Sequence, residues 1–201
     1  MEETIIQILA RELERPEQHV RNIIALLDEG NTVPFIARYR KELHGGMDDQ
    51  LIRQLAERLQ YLRNLQQRRD EVRQSIENQG KLTDELSAAI DAAATLAEVE
   101  DLYRPYKQKR RTRATMAKEK GLEPLALLLF AQERDCPEPL AEAAKYIDPE
   151  KGVETAEDAL QGASDIVAEQ ISDDADIRKA LRELYWKKAR LVSVAAAKEP
   201  A

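Results

Sequence analysis

The stretch from residue 48 to residue 79 contains neither proline nor glycine, and this limits the fold more than any other feature of the sequence. Asp48 or Asp49 is suited to cap its first turn, and Gly80 is suited to end it. Its apolar residues recur every three or four positions, as in an amphipathic helix. They are Leu51, Ile52, Leu55, Leu59, Leu62, Leu65, Val72 and Ile76. The stretch predicts one helix of about thirty residues, ~45 Å long, on which flanking helices pack.

The heptad-like spacing of this helix also permits a coiled-coil partner. Its register falters at Arg68 and Arg69, which favours packing within the chain. The composition points to helices elsewhere as well, because charged residues make up 34% of the 201 residues, aromatic residues only 4%, and β-branched runs are few. We therefore expect an all-α protein: an elongated multi-helix assembly with a helix-turn-helix-like start and one long spine helix.

Proline and glycine positions divide the chain into five expected parts. The last of them begins with the most apolar helix, which we expect in the core, and Trp186 is expected to pack the final helix onto the rest. The parts are a helix-turn-helix-like start (1–46), the spine helix (48–79), further helices (83–106), a basic loop and turn (107–121) and a helical subdomain (122–201).

A basic segment, residues 104–113, begins at the end of the third part and continues into the fourth. Six cations lie between residues 104 and 113 of a chain whose net charge is −7. Their mutual repulsion is offset most readily by an anion such as phosphate, and neighbouring tyrosines are available to stack on bases. The candidate nucleic-acid-binding residues are Lys107, Lys109, Arg110, Arg111 and Arg113, with Tyr106 in a secondary role. The alternative is a solvated loop whose charges pair with acidic neighbouring helices. In either case Thr115 is suited to cap the turn that follows.

A smaller basic cluster occurs near the start of the chain. Arg38, Arg40 and Lys41 follow an apolar anchor that includes Val33 and Phe35. Arg38 and Arg40 are secondary candidates for nucleic-acid binding. Packing combined with intramolecular ion pairs is the alternative, and the sequence favours it here.

The sequence offers little for catalysis or metal binding. Its two histidines, His19 and His44, lie near neither Cys136 nor a serine motif, and no phosphate-binding loop or zinc spacing is present. Three acids near residue 174 fit helix capping better than a metal site. We expect no catalytic activity, no metal and no cofactor.

The lone cysteine excludes an internal disulfide, and no apolar run approaches the ~20 residues of a membrane span. A cytoplasmic protein without membrane contact is expected.

Several separate runs resemble the Tex family of bacterial transcription accessory proteins. Agreement over distant runs is more specific than one charge cluster, and the resemblance extends over nearly the whole chain. Arg104 and Gln108 depart from it, since an apolar residue and a proline are expected there. The runs are residues 33–42 (VPFIARYRKE), 100–103 (EDLY), 106–107 (YK), 109–115 (KRRTRAT) and 117–126 (AKEKGLEPLA).

The resemblance implies more than these residues show. Proteins of this family are much longer, with a ribonuclease-H-like domain, a helix-hairpin-helix segment and an RNA-binding S1 domain after the helical region. They also resemble a eukaryotic elongation factor that accompanies RNA polymerase. The resemblance therefore implies that this chain is an N-terminal helical region and that the principal nucleic-acid-binding module lies elsewhere.

Two functions remain open from the sequence. The first is a module of a transcription accessory factor that contacts RNA or DNA phosphates without reading sequence. Five such contacts would give a salt slope of roughly −4 on duplex DNA. The second is a scaffold that docks the other domains of a longer chain or a partner in the transcription machinery.

Overall fold

A computed structural model describes residues 2–108, 110–133 and 137–194. Helices dominate these residues, and an isolated antiparallel bridge between Asp148 and Val153 is the only β pairing among them. The all-α prediction is confirmed. The chain forms two compact units, unit 1 (residues 1–96) and unit 2 (residues 97–201), and each is described by itself.

Unit 1 is built around its longest helix. Four helices precede it, the first two of them joined by a short turn, and the helix-turn-helix-like interpretation of this start stays a prediction. The helices of unit 1 are α1 (Glu2–Glu12), α2 (Glu17–Asp28), α3 (Val33–Tyr39), α4 (Lys41–His44), α5 (Asp49–Glu77) and α6 (Asp84–Ala92), and its last residue begins α7 (Leu96–Tyr103).

The predicted long helix is confirmed as α5. It has 29 residues, and its first turn is capped by Asp48, whose Oδ1 accepts a hydrogen bond from the Leu51 amide at 2.8 Å. Its first half packs against α1, α2 and α3 in a core that excludes water from the apolar stripe. The buried residues of this core are Ile6, Leu9, Ala10, Val20, Ile23, Ile24, Leu26, Ile36, Met47, Ile52, Leu55, Leu59 and Leu62.

The second half of α5 packs against α6. Leu65, Val72 and Ile76 are buried there. Arg69, at the break in the heptad pattern, donates from Nη2 to the carbonyl oxygen of Ala93 at 2.7 Å. The residue that interrupts the apolar register is therefore used to hold the segment after α6.

Cross-helix ion pairs join α5 to its neighbours. Arg58 donates to both carboxylate oxygens of Glu12 on α1 at 2.8 and 2.7 Å, and Arg63 does the same to Asp28 on α2 at 2.6 and 2.8 Å. The hydrogen bond from Arg58 lowers the pKa of Glu12 from its ordinary 4.5, and that from Arg63 lowers the pKa of Asp28 from 3.8. Burial opposes both shifts without reversing them.

Unit 2 contains the remaining helices. They are most of α7, then α8 (Arg113–Glu119), α9 (Glu123–Ala131), α10 (Pro139–Ala143), α11 (Ala156–Asp173) and α12 (Ala175–Lys188), with short 3₁₀ turns at Arg104–Tyr106, Ala144–Tyr146 and Pro149–Lys151.

Small residues let α8 approach α11 closely. Ala114 and Ala117 on α8 are buried with Ala159 and Ala163 on α11. A methyl group on Gly162 would lie only 2.4 Å from Cδ1 of Leu122, the residue before α9. The contact therefore depends on the absence of a side chain at that position.

The prediction that all of residues 122–130 is core is wrong. Leu125 and Ala126 are buried, whereas Leu127, Leu128 and Phe130 are exposed. Helix α9 carries apolar residues around its whole circumference, but only one of its faces packs against α11. Hydrophobicity alone did not indicate which face that would be.

The prediction that Trp186 packs α12 onto the rest is also wrong, because its side chain is 92% exposed. Polar contacts hold α12 instead. Asp101 on α7 is buried and accepts hydrogen bonds from Arg178 and Arg182 on α12. Asp174 caps the helix by accepting from the Ile177 amide at 2.8 Å. No helix among the described residues is long and apolar enough to cross a membrane.

Replacing both Arg58 and Arg63 by glutamine should lower the stability of the chain near neutral pH and flatten its dependence on acid. Because the folded-state pKa values of Glu12 and Asp28 lie below 4.5 and 3.8, their contribution is present above those values and is lost as the pH falls through the lowered pKa. Each pair is more than a third exposed, so we expect ~0–1 kcal/mol per pair.

Urea unfolding followed by circular dichroism, from about pH 7 to about pH 3, measures this difference. The matched control replaces Arg11 and Arg53 by glutamine, since both are exposed and have no partner among the described residues. A double variant with the same pH dependence as the unchanged chain would contradict the assignment.

Candidate nucleic-acid interface

The basic segment is partly a loop and partly the first turn of a helix. Helix α7 ends at Tyr103, a 3₁₀ turn follows, and α8 begins at Arg113. The cap predicted at Thr115 is wrong, since Thr112 caps α8 by accepting from the Thr115 amide at 3.0 Å. Both threonines suit a cap, and α8 begins at the earlier one because Ala114 then joins the unit 2 core. Lys109 lies outside the described residues.

Three cations of the segment pair with acidic residues. Lys107 bonds Glu100 on α7, and its ammonium lies 5.5 Å from the centre of the Tyr103 ring. Arg111 donates to Glu119 at 2.6 Å, at the other end of α8. Arg104 donates to Asp173 of α11 at 2.9 Å. Pairing with neighbouring helices, the alternative that the sequence left open, is thus present for these cations.

These ion pairs are exposed enough to be exchanged for another anion. The side chains of Lys107 and Arg111 are 43% and 69% exposed, and those of Glu100 and Glu119 are 36% and 53% exposed. Exposed pairs contribute only ~0–1 kcal/mol. A phosphate that approaches the segment therefore competes with weak local partners.

Arg110 and Arg113 differ from their neighbours. Both side chains are exposed, and neither has a hydrogen bond or ion pair with a described residue. The next residue after Arg113, Ala114, is fixed in the core, so the backbone of Arg113 is anchored. The two arginines therefore present their full charge to solvent.

Arg113 also borders a cavity of about 470 Å³ between α8 and α11. Lys120 lies at the same cavity but donates to the carbonyl oxygen of Gly152 at 2.7 Å. Three acids, Glu154, Asp158 and Asp165, also line it. This mixed charge makes the cavity a poor phosphate pocket, and the open side of Arg113 is the more suitable surface.

Tyr106 lies in the 3₁₀ turn and is half-buried. Part of its ring therefore packs against the protein, which fits bracing of the segment at least as well as base stacking. Contact between Tyr106 and nucleic acid stays a prediction.

The second cluster, Arg38 and Arg40, lies in unit 1 at the end of α3. Arg40 is half-buried, with its guanidinium 5.4 Å from the centre of the Phe35 ring, so its charge is engaged in a cation–π contact. Arg38 is exposed beside Lys41, and neither has a partner among the described residues. The packing predicted for this cluster is present at Arg40, whereas ion pairs are absent from the described contacts of all three cations.

The histidines are in structural positions. His44 ends α4 and is 1% exposed, and neither ring nitrogen bonds a described residue. The His19 ring lies against Gly45, where a methyl group would come within 2.2 Å of it. Within residues 2–108, 110–133 and 137–194, no group of three His, Cys, Asp or Glu side chains is placed to hold a metal ion. Cys136 lies outside these ranges.

Sequence reasoning missed the acids that compete for the cations. Glu100 precedes Lys107 by seven residues, and Glu119 follows Arg111 by eight. Neither spacing is the three or four residues that separate neighbouring side chains on a helix. No local signal could have identified these pairs before the path of the segment was known.

Comparison with known families finds two matches along this chain. Residues 3–77 match the Tex-like protein N-terminal domain, and residues 135–200 match the Tex central region-like family. The two matches fall in different parts of the same chain and together cover most of it. The chain therefore belongs to the Tex family, as the resemblance had implied.

Individual relatives support the same assignment. The chain is 50% identical to protein YhgF of Escherichia coli over 194 residues, which is 96% of this chain and 25% of the relative. It is 48% identical to the transcriptional accessory protein Tex of Neisseria gonorrhoeae over 93% of this chain and 24% of the relative. The human S1 RNA-binding domain-containing protein 1 is 32% identical over 92% of this chain and 18% of that protein. The chain spans about a quarter of the length of the bacterial relatives.

Proposed function

We propose that this chain is a nucleic-acid-binding module of a transcription accessory factor, and that the basic segment contacts the phosphates. The observation that carries the proposal is the exposure of Arg110 and Arg113 without partners among the described residues, in a chain with more acids than bases. The names of its relatives, a transcriptional accessory protein and an S1 RNA-binding domain-containing protein, support the same function.

In this proposal some cations of the segment bind phosphate directly, and others must first leave an acidic partner. Arg110 and Arg113 bind phosphate directly because no local bond must first be broken. Lys107 and Arg111 join when phosphate replaces Glu100 and Glu119. Lys109 is included among the phosphate-binding residues only because of its position in the sequence.

Contacts of this kind position a nucleic acid without reading its sequence. RNA and DNA both present the required phosphates, so the segment binds either one. Tyr106 and Arg38 contribute secondarily, and Arg40 least, because its charge already lies over an aromatic ring.

We further propose that the region acts by binding and has no catalytic activity of its own. Its two histidines support this, because His44 is buried and His19 packs against the backbone at Gly45. Neither ring is hydrogen-bonded to a side chain of a described residue that could serve as a nucleophile.

A scaffold function is the second candidate, and one observation favours it. Unit 2 leaves many large apolar side chains exposed, including Leu181 and Trp186 on α12. Exposed apolar surface of this extent is typical of a docking surface.

Changing both Arg110 and Arg113 to alanine should weaken binding to duplex DNA and reduce the dependence of log K on log salt by ~2, because each phosphate contact contributes about −0.9 to the slope. Fluorescence anisotropy with labelled duplex DNA and single-stranded RNA at several salt concentrations measures both quantities. The control changes Arg11 and Arg53, which removes the same charge from unit 1. Equal losses in the two variants would contradict direct contact by the basic segment.

Changing Glu119 to glutamine should strengthen binding by about twofold, because it releases Arg111 from a weak ion pair and removes a charge that repels phosphate. The same anisotropy titration measures this gain. Glu157 to glutamine is the control, since Glu157 is an exposed acid of α11 and alters net charge equally. An equal gain in the Glu157 variant would show that the gain comes from net charge alone. No gain in the Glu119 variant would show that Arg111 does not contact phosphate.

A further inference from the structure

Exposed apolar side chains are distributed unequally between the two units. Among the large apolar residues that the structure describes as exposed, Tyr39 alone belongs to unit 1. The others lie in unit 2: Met116, Leu127, Leu128, Phe130, Leu140, Ile147, Ile171, Ile177, Leu181, Leu184, Tyr185, Trp186, Leu191, Val192 and Val194. Unit 1 has thus covered its apolar surface, and unit 2 has not.

Helix α12 is the most exposed element of unit 2. None of its side chains is buried, although it runs for 14 residues. Ile177, Leu181 and Leu184 are spaced by four and three residues, so they share one side of the helix, with Tyr185 next to them. These four residues form the α12 apolar face. Its width is that of the apolar stripe by which a helix packs on another element.

A groove of about 530 Å³ adjoins this face. It is a shallow, open groove along α12 itself, bordered by the apolar side chains of Leu181, Tyr185 and Trp186 and by Arg178 and Arg182. Both arginines are held by Asp101, so the side of α12 that carries the groove is fixed relative to α7. The groove is therefore a formed surface on an anchored helix.

The charges around the face indicate the chemistry of what covers it. Helix α12 carries five basic residues against two acidic ones, in a chain that is acidic as a whole. Arg178 and Arg182 share the single negative charge of Asp101, which offsets one of their two positive charges, and the Lys179 ammonium lies 3.6 Å from a carboxylate oxygen of Glu98. Lys187 and Lys188, at the end of the helix, have no partner among the described residues. A covering segment with acidic flanks matches these two lysines.

We propose that the α12 apolar face and its groove bind an amphipathic, acid-flanked helix from the same polypeptide in the longer Tex-family proteins. About three quarters of each bacterial relative lies outside the part that matches this chain, which supplies ample chain for such a helix. The central-region match continues to residue 200 and so includes all of α12. A second copy of this chain fits less well, because two α12 helices would bring like charges together.

Trp186 provides a direct readout because it is the only tryptophan of the chain. In the 201-residue chain its fluorescence should be that of a hydrated indole and should be quenched freely by acrylamide. Hydrogen–deuterium exchange of residues 175–188 is then compared between this chain and the longest natural chain that contains it. We expect exchange to be at least about tenfold slower in the longer chain.

Variants separate the proposal from its alternatives. Leu181→Glu with Leu184→Glu should abolish the slowing in the longer chain, and Lys187→Glu with Lys188→Glu should reduce it. Leu127→Glu with Leu128→Glu, which places the same change on exposed leucines of α9, should leave it intact. Equal exchange in the two chains would overturn the proposal. Concentration-dependent protection of the 201-residue chain, matched by dimers in sedimentation, would overturn it in favour of a second copy.

Discussion

Pairing between arginine and carboxylate groups sets how the helices lie against one another in both units. In unit 1, Arg58 bonds Glu12 on α1 and Arg63 bonds Asp28 on α2, so α5 is fastened to both helices. In unit 2, one buried carboxylate, Asp101, holds two arginines of α12. Apolar burial supplies most of the driving force for folding, but it is not directional. Two-pronged hydrogen bonds between guanidinium and carboxylate fix how one helix lies along another.

The same pairing decides which cations are left for a partner. Acidic residues outnumber basic ones by 38 to 31, so a cation in this chain usually has a carboxylate within reach. Lys107 and Arg111 have found one, whereas Arg110 and Arg113 have none among the described residues. A basic sequence run is therefore an imperfect guide to binding, and the cations that remain unpaired identify the surface better.

Local signals predicted a helix well where the candidate caps were adjacent and a long stretch without a breaker followed them. Asp48 was identified as a possible start of α5 because the next thirty residues contain no breaker. The start of α8 was misplaced by three residues because Thr112 and Thr115 are equally good caps, and the core contact of Ala114 decides between them. That contact joins positions far apart in sequence, so no local rule could supply it.

The candidate site was only partly predictable for the same reason. The basic segment is evident in the sequence, but its competition with Glu100 and Glu119 depends on the path of the chain. Trp186 was misassigned because a sequence shows that a residue is apolar without showing which surface covers it. Both errors concern long-range contacts, and one of them revealed the uncovered face of α12.

The central claim is that phosphate binds at Arg110 and Arg113. Side-chain Nε–Hε resonances of arginine report this directly when single-stranded RNA is added to the labelled chain. The account predicts that these two resonances shift first and that added salt reverses the shift, because phosphate contacts release counterions. Shifts at Arg38 or at other arginines, with Arg110 and Arg113 unchanged, would contradict it.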